Sequence, residues 1–179
     1  ATGLRDELPD IPGLADAWGR EVAHCPFCHG HELSGQRIAI LGDGEHAGTQ
    51  ATMLGRIASE VVIFTPSQVS SVEPANPGLT LHLDDGSSTR VGGVFVSPIS
   101  TQRAPFAMQL GLRTLPSGCV EIDPMGQTSM PGVFAAGDMA HVAALPGPMA
   151  SLAAATSAGQ LAAVGCVRML VVRDLAEVP

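Results

Sequence analysis

Short apolar runs in the middle of the chain predict a strand–helix–strand unit. Arg37–Leu41 and Glu60–Thr65 are brief, mostly apolar runs, a pattern typical of buried strands. Between them, Thr49–Ser59 has apolar residues at helical spacing. These residues are Ala51, Leu54, Ile57 and Ala58. Strand, helix and strand in this order predict a βαβ unit with parallel strands and a right-handed crossover.

The next stretch changes from apolar runs to alternation. Leu79–Leu83 alternates apolar and polar residues with period two, which predicts a half-buried strand. Asp84–Gly86 is a turn sequence, and Arg90–Val96 predicts a further strand. Together these stretches predict a β-hairpin or β-meander.

The outer parts of the chain have weaker patterns. Ala1–Gly13 shows neither period and is rich in Pro and Gly, so we expect it to be a connector. The other predicted elements are a short helix over Leu14–Val22 with Trp18 facing inward, short strands over Val120–Asp123 and Gly132–Asp138, and an Ala-rich helix over Pro148–Leu170. This order of elements predicts an α/β protein.

Composition restricts the classes of function. The 179 residues carry a net charge of −8, which argues against a nucleic-acid or anionic-membrane surface. With no amino-terminal signal pattern and no uncharged apolar run of about 18 residues, we expect a cytoplasmic protein without a membrane span. Four cysteines do not make a disulfide framework in a chain of this length, and we interpret Cys119 and Cys166 as buried small residues.

The most reactive stretch runs from His24 to Glu32 and contains two thiols, three imidazoles and a carboxylate. Cys25 and Cys28 are two residues apart, so either thiol can resolve a mixed disulfide formed by the other. His24 and His29 are candidates for the base and counter-charge that activate a thiol, and Glu32 can orient one imidazole. The stretch therefore predicts a redox-active cysteine pair that can form a disulfide bond.

Three other interpretations of this stretch remain open. Cys-x-x-Cys-His is also the spacing for covalent attachment of a c-type haem. A zinc ion could be held by both cysteines and two of the neighbouring histidines, although no second ligand pair follows at a distance. The candidate histidines are His24, His29 and His31. Glutaredoxin-like folds also carry Cys-Pro-aromatic-Cys, but there the motif opens an amphipathic helix, whereas here glycines interrupt and a strand follows.

A glycine turn follows the dithiol. Gly42-x-Gly44-x-x-Ala47 lies between a predicted strand and a helix, which is the context of a dinucleotide-binding turn. There the first glycine makes the turn, the second lets a pyrophosphate approach, and the third small residue packs helix on strand. The second strand ends at Phe64-Thr65-Pro66 without an acidic residue or an arginine pair, so NAD and NADP are not distinguished. A tight structural turn is the alternative.

A second glycine-punctuated strand end, Gly137-Asp138, precedes the Ala-rich helix. The Asp138 carboxylate can accept hydrogen bonds from sugar hydroxyls, and small residues at the helix start let a flat ring approach the backbone N–H groups. A helix N-terminus there would stabilise negative charge on a reduced flavin. An ordinary turn before a packed helix is the alternative, which composition alone favours.

These pieces in this order resemble the thioredoxin-reductase-like branch of the pyridine nucleotide-disulfide oxidoreductases. The resemblance covers nearly the whole chain, and its most specific parts are Thr128–Asp138 and Ala155–Gly159. The other matching stretches are Ala1–Gly3, Leu8–Gly13, Cys25–Glu32 and Gly42–Ala47. Cys-Pro-Phe-Cys-His-Gly-His-Glu is more similar to dithiol oxidases of the gliotoxin and holomycin type than to thioredoxin reductase, which has Asp where His29 stands.

The resemblance implies an FAD/NAD(P)-binding Rossmann-like fold of two domains, incomplete here. Residues 1–13 would be a connector and FAD-domain segment, residues 14–98 the inserted NAD(P)-binding-like domain with the dithiol, and residues 99–179 the carboxy-terminal FAD-domain segment. Cys25 and Cys28 would exchange electrons with the flavin, with His29 and Glu32 as acid/base. The implied cofactor-binding residues are Gly42, Gly44, Ala47, Gly137, Asp138, Leu152, Ala153 and Ala154.

The implied function is FAD-dependent oxidation of a small-molecule dithiol to a disulfide, by a homodimer. One alternative is an NADPH-dependent reductase of a thioredoxin-like protein. Another is a non-catalytic remnant that binds zinc or a nucleotide. FAD is the implied cofactor, with NADP as a further candidate and no metal.

Two departures from the family pattern change these expectations. The first FAD-domain piece, with its glycine fingerprint, is absent from this sequence. The inserted domain is also short after Phe64, where the family would place another helix and strand with basic residues for a 2′-phosphate. The shortening fits the oxidase branch, in which oxygen takes the flavin electrons. We expect a truncated product, a part of a longer protein, or one half of a two-chain enzyme.

Overall fold

A computed structural model describes residues 1–176 and divides the chain into two compact units. The insert unit comprises Glu7–Ile99. The outer unit comprises Ala1–Asp6 together with the chain from Ser100 onward. The chain therefore passes between the units twice, once on either side of the insert unit.

Strands and α-helices follow one another along the described residues. The strands are β1 (Leu4–Glu7), β2 (Val22–Ala23), β3 (Arg37–Leu41), β4 (Glu60–Phe64), β5 (Val69–Pro74), β6 (Leu79–Leu83), β7 (Ser88–Val91), β8 (Gly93–Val96), β9 (Ile99–Gln102), β10 (Val120–Ile122) and β11 (Ala140–Val142). The helices are α1 (Pro26–His29), α2 (Gly44–Leu54), α3 (Phe106–Gln109) and α4 (Leu152–Ala176).

A four-stranded parallel sheet with the order β2–β8–β3–β4 forms the centre of the insert unit. Successive side chains of a strand point to opposite faces, so each face of this sheet has its own core. Ile38, Ile40 and Phe95 are buried against α2 on one face. Ala39 and Leu41 are buried on the other face. Apolar residues on both sides are typical of parallel strands that are covered on both faces.

The second cover of this sheet is the predicted meander. Strands β5, β6 and β7 form an antiparallel sheet in that order. Leu79 and Leu81 of β6 are buried in the same cluster as Ala39 and Leu41. The predicted turn is present, and the N–H of Gly86 donates to the carbonyl of Leu83. Strand β4 is connected to β5 by a single 3-10 turn over Pro66–Gln68. No further helix or parallel strand lies between β4 and the meander in this described part of the chain.

The outer unit is less regular. Strand β1 pairs with β9, and β10 pairs in parallel with β11. Its buried cluster is small and consists of Ala107, Val120, Ile122, Ala135 and Met139. Much of the chain between these elements is turn and loop.

Helix α4 is apolar on more than one side. Its inner side is packed closely, because a Cβ at Gly165 would lie 2.7 Å from the carbonyl oxygen of Met125 and 3.0 Å from Cε1 of Phe134. Its other side carries Val167 and Val171, which are exposed. Helix α4 has 25 residues, and an 18-residue window of it has a mean hydropathy of 1.4, so by length and composition it could cross a membrane. Only 11% of that window is buried.

Three strand predictions are wrong. Leu4–Glu7 is a strand and not part of a connector, and its partner β9 lies far along the chain. Arg90–Val96 is two strands, since β7 belongs to the meander and β8 to the parallel sheet. Gly132–Asp138 contains only an isolated bridge at Phe134, because glycines with φ of +81° and +76° lie near its ends.

The predicted helix over Leu14–Val22 is one 3-10 turn over Ala15–Ala17, followed by β2. Trp18 is half-buried against the core cluster as predicted, but it lies outside that turn. The Ala-rich helix begins at Leu152, later than predicted, and extends to Ala176.

The predicted helix over Thr49–Ser59 is α2, which begins and ends earlier. Its N-cap is Asp43 and its last residue is Leu54. Ile57 and Ala58 still pack on the core, but they do so from the turn after the helix. The parallel pairing of β3 with β4 confirms the strands of the predicted βαβ unit.

Candidate dithiol site

The two cysteines lie in one turn at the start of α1. Cys25 is the N-cap of α1, and Cys28 lies within the helix. The carbonyl oxygen of Cys25 accepts hydrogen bonds from the N–H groups of Cys28 and His29, each at 3.1 Å. Both thiols are free, with Cys25 partly buried and Cys28 exposed. The predicted spacing therefore brings the two sulfur atoms together at the surface of the insert unit.

The two thiols interact directly. A side-chain hydrogen bond to Cys25 raises the pKa of the Cys28 thiol above its ordinary value, and desolvation and the charge of Cys25 raise it further. Because the thiolate is the nucleophile, the pair favours the protonated form of Cys28 at neutral pH. A base that removes this proton would activate the dithiol.

The candidate bases differ in their surroundings. His29 follows Cys28 directly, and its Nδ1 is buried without a hydrogen-bond partner in the described structure. His24 stacks on Trp18, with ring centroids 5.9 Å apart and 27° between the ring planes. Glu32 is exposed on the 3-10 helix Gly30–Leu33, and the structure of residues 1–176 gives no hydrogen bond between it and His29. His29 is therefore the better placed of the two predicted acid/base residues.

One residue that the sequence prediction missed contacts this site. Gln50 is only 4% exposed, and its Nε2 donates a 3.1 Å hydrogen bond to the carbonyl oxygen of His24. It shares the buried side of α2 with Ala47 and Leu54. A glutamine within an apolar helical stripe is a signal that the sequence carries. The predicted helix, which began too late, left Ala47 out of that stripe.

The predicted nucleotide turn connects β3 to α2. The N–H of Gly42 donates to the carbonyl of Phe64 at 2.9 Å, which fixes the turn against β4. A Cβ at Gly42 would lie 3.6 Å from the Cβ of Ala47, so Ala47 packs directly on the turn. Gly44 has φ of +62° and open space where its Cβ would lie. The geometry is that of a strand–turn–helix junction with an accessible helix start.

The residues that follow β4 are uncharged and hydrogen-bond to one another. The N–H of Thr65 donates to Oε1 of Gln68 at 2.8 Å, and the hydroxyls of Thr65 and Ser67 are 3.0 Å apart. No basic side chain lies in this stretch of sequence. Residues 64–68 therefore supply no cation of their own for a 2′-phosphate.

In the outer unit, the structure brings the predicted FAD contacts together. A Cβ at Gly137, which has φ of +76°, would lie 3.9 Å from the Cβ of Ala155 in α4. The Gly137–Asp138 turn therefore lies against the first turns of the helix. Ser151 Oγ accepts a 3.1 Å hydrogen bond from the N–H of Ala154 and so caps the helix start.

This helix start fits a flavin nucleotide. Leu152 is 91% exposed, Ala153 is exposed, and Asp138 presents its carboxylate to solvent. The alanine side chains here are small, a helix N-terminus favours negative charge, and a carboxylate accepts bonds from sugar hydroxyls. Gly137, Asp138, Leu152, Ala153 and Ala154 are thus a suitable surface for FAD.

The described residues hold no ready metal cluster. Within residues 1–176, no group of three or more His, Cys, Asp and Glu side chains is arranged to hold a metal ion. The two thiols of the dithiol thus lack the further ligands that a structural zinc site needs.

Comparison with known proteins gives one family model and several longer relatives. The model described as "Pyridine nucleotide-disulphide oxidoreductase" matches residues 60–161, more than half of the chain. The dithiol and the glycine turn precede this match. Thioredoxin reductase sirT of Leptosphaeria maculans is 30% identical over 177 residues, which cover 78% of this chain and 54% of that protein.

Two further matches include the dithiol, because they extend over nearly the whole chain. Thioredoxin reductase aclD of Aspergillus oryzae is 31% identical over 211 residues, which cover 99% of this chain and 65% of that protein. The protein in the crystal structure of HlmI has 32% sequence identity to this chain, and the two structures superpose with a TM-score of 0.84. The match covers 98% of this chain and 60% of the HlmI chain. The chain thus spans between about half and two thirds of these proteins. The alignment with aclD extends over 211 residues, more than the 179 of this chain, so aclD has additional residues within the aligned region.

Proposed function

The chain belongs to the thioredoxin-reductase-like members of the pyridine nucleotide-disulphide oxidoreductase family, and we propose that it carries the dithiol-exchange site of an FAD-dependent dithiol oxidase. The observation that carries this proposal is the position of Cys25 and Cys28 in one turn at the start of α1, with both thiols free and Cys28 exposed. Such a pair can close to a disulfide and reopen without a change of fold. The proposed substrate is a small-molecule dithiol.

The exchange begins with the pair as a disulfide. A substrate thiolate attacks Sγ of Cys25, the Cys25–Cys28 bond breaks, and Cys28 leaves as a thiolate. The second substrate thiol then attacks the mixed disulfide, and Cys25 leaves in turn. The substrate becomes a disulfide and the protein holds two thiols, so two electrons have passed to the pair. His29 takes the proton of the attacking thiol and returns a proton to Cys28.

FAD, when bound, supplies the acceptor for these two electrons. Asp138 would hold its sugar chain, and the exposed start of α4 would lie against its ring. The neutral end of β4 supports oxygen rather than NADPH as the partner of the flavin. We further propose that the protein is cytoplasmic and acts as a homodimer.

The second candidate is an NADPH-dependent reductase of a thioredoxin-like protein. The open glycine turn at Gly44 favours it, because this geometry admits a pyrophosphate. The two candidates differ in what reduces the flavin. A dithiol reduces it in the oxidase, whereas NADPH reduces it in the reductase.

One spectroscopic experiment tests both candidates. The purified chain, or any longer polypeptide that contains it, is mixed with FAD, and the flavin absorbance is followed without oxygen. Bleaching by dithiothreitol and recovery on admission of air are expected for the oxidase, and bleaching by NADPH alone for the reductase. Cys28→Ser should abolish turnover of the dithiol, and Cys166→Ser should not. Undiminished turnover in Cys28→Ser would reject the scheme.

A further inference from the structure

One side of α2 holds both ends of the dithiol segment. At the beginning of that segment, Nε2 of Gln50 donates to the carbonyl oxygen of His24, the residue before Cys25. At its end, a Cβ at Gly30 would lie 3.3 Å from Cδ2 of Leu54 and 3.2 Å from Cδ1 of Ile57. The segment from His24 to Gly30 is therefore fixed to α2 at two points, and only the Gln50 contact is polar.

Two buried polar atoms in this region have no partner in the described structure. They are Oε1 of Gln50 and Nδ1 of His29. A carbonyl oxygen only accepts, so the Gln50 atom that faces His24 is the NH₂ group and the unpaired atom is an acceptor. Nδ1 of a neutral imidazole can carry the ring proton and donate it. Buried polar groups are nearly always paired, so the coexistence of an unpaired acceptor and an unpaired donor needs an explanation.

The elements that carry these atoms are packed together. Helix α1 contains His29 and contacts α2, which contains Gln50. The two atoms are not hydrogen-bonded in this structure, so a rotation of one side chain precedes their contact. Rotation of the His29 ring would also change which nitrogen is available to the thiols.

We propose that Gln50 is a positioning residue of the dithiol site: its Nε2 anchors the His24 carbonyl, and its Oε1 accepts the Nδ1–H of His29. A ring held in this way keeps its proton on Nδ1 and presents an unprotonated Nε2 to the thiols. Nε2 is then the atom that takes a thiol proton. The catalytic role of this pairing rests on the proposed dithiol exchange, but the experiment that tests the pairing does not.

Among the groups around His29, Oε1 of Gln50 is the acceptor best suited to its Nδ1–H. The titratable groups on the dithiol segment and on the elements beside it are His24, Cys25, Cys28, His31, Glu32, Asp43, Glu45 and His46. All of these except Cys25 are exposed. Solvent therefore competes for the carboxylates, whereas Oε1 of Gln50 is out of contact with water.

Nitrogen NMR of the histidine rings in the reduced chain tests the proposal. We expect wild-type His29 to carry its proton on Nδ1. In Gln50→Leu, which has a similar volume and no polar atom, we expect a mixture of both tautomers. We also expect Cys25–Cys28 disulfide formation with oxidised dithiothreitol to slow by about tenfold. This is less than the roughly 10²–10⁴-fold that a general base contributes, because the base is misplaced and not removed. Gln50→Glu retains an acceptor for the Nδ1–H of His29 but loses the donor to the His24 carbonyl, so it should keep the Nδ1–H form and separate the two roles of Gln50.

Thr49→Leu is the matched control, because Thr49 is exposed on the same helix and should change neither the tautomer nor the rate. A folded Gln50→Leu variant with wild-type tautomer and rate would overturn the proposal. If this variant does not fold, the wild-type spectrum decides, since a proton on Nε2 of His29 overturns it equally. Neither measurement needs FAD, so failure of dithiol turnover with FAD would overturn the proposed function and leave this assignment intact.

Discussion

The two units of the chain bury their apolar residues to different degrees. In the insert unit, the parallel sheet is covered by α2 on one face and by the meander on the other, and Ile38, Ile40 and Phe95 are fully buried. In the outer unit, α4 is apolar on more than one side but packs with only one of them. A helix that is apolar all round is normally buried. The insert unit thus has the two covered faces of an independent domain, and the outer unit exposes a large apolar surface.

The largest expected effect is the removal of a fully buried ring from the insert unit. Phe95→Ala should lower the free energy of unfolding by about 3–5 kcal/mol, because it leaves a cavity between the sheet and α2. Urea denaturation followed by the fluorescence of Trp18 measures this, since Trp18 is the only tryptophan of the chain. Phe27→Ala is the control. Phe27 is 87% exposed, and its loss should change the free energy by less than about 0.5 kcal/mol. Equal losses for both variants would contradict the described core.

A matched glycine pair tests the packing of α4 in the outer unit. Gly165→Ala would bring a methyl group within 2.7 Å of the Met125 carbonyl and should destabilise the outer unit by about 1–3 kcal/mol. Gly159→Ala has open space and should stabilise α4 by about 0.5–1 kcal/mol through helix propensity. Helical circular dichroism against urea follows this transition. The same chemical change should therefore lower the stability at Gly165 and raise it at Gly159. Stabilisation by both variants would contradict the close packing of α4 at Gly165.

The cysteines of the two units provide a third comparison. The pKa values of Cys28 and Cys119 are both raised, that of Cys28 chiefly by its bond to Cys25 and that of Cys119 chiefly by burial. A raised pKa means that the thiolate forms only at higher pH. Cys25→Ala removes the main cause at Cys28, so alkylation of Cys28 by iodoacetamide should rise at a given pH below its pKa. Mass spectrometry across a pH series measures both sites. Cys119 should react only after urea unfolds the outer unit, and its prompt reaction would contradict its burial.

The smallest effect on stability is expected on the outer side of α4. Val167→Lys combined with Val171→Lys should change the free energy of unfolding by less than about 0.5 kcal/mol, because both side chains are exposed. The same change should reduce self-association, since large exposed apolar patches promote it. Light scattering over a concentration series measures association. A loss of stability above about 2 kcal/mol would show that this side is packed.

The insert unit was also the easier one to predict from sequence. Strands β3, β4 and β6 follow from local apolar runs and alternation, because buried strands carry their pattern within a few residues. Strand β1 carries polar residues and exists through its pairing with β9, a distant contact that no local pattern reveals. The sequence Gly137-Asp138 predicts a strand end, whereas the positive φ angles of Gly132 and Gly137 break the strand altogether.

For the site, residue type and spacing were informative where the chemistry is local. The proximity of Cys25 and Cys28 follows from two intervening residues at a helix start. The contact of Gln50 with His24 could not be predicted, because it depends on how α2 lies on the dithiol segment. The placement of Gly137 against α4 likewise depends on packing between elements distant in sequence.

The interrupted outer unit has a consequence for biosynthesis. Strand β1 of this unit leaves the ribosome well before its partner β9, with the whole insert unit between them. Domains generally fold as units while translation proceeds. The insert unit can therefore complete its sheet while β1 still lacks its partner, and its closure shortens the effective loop that β1 and β9 must close.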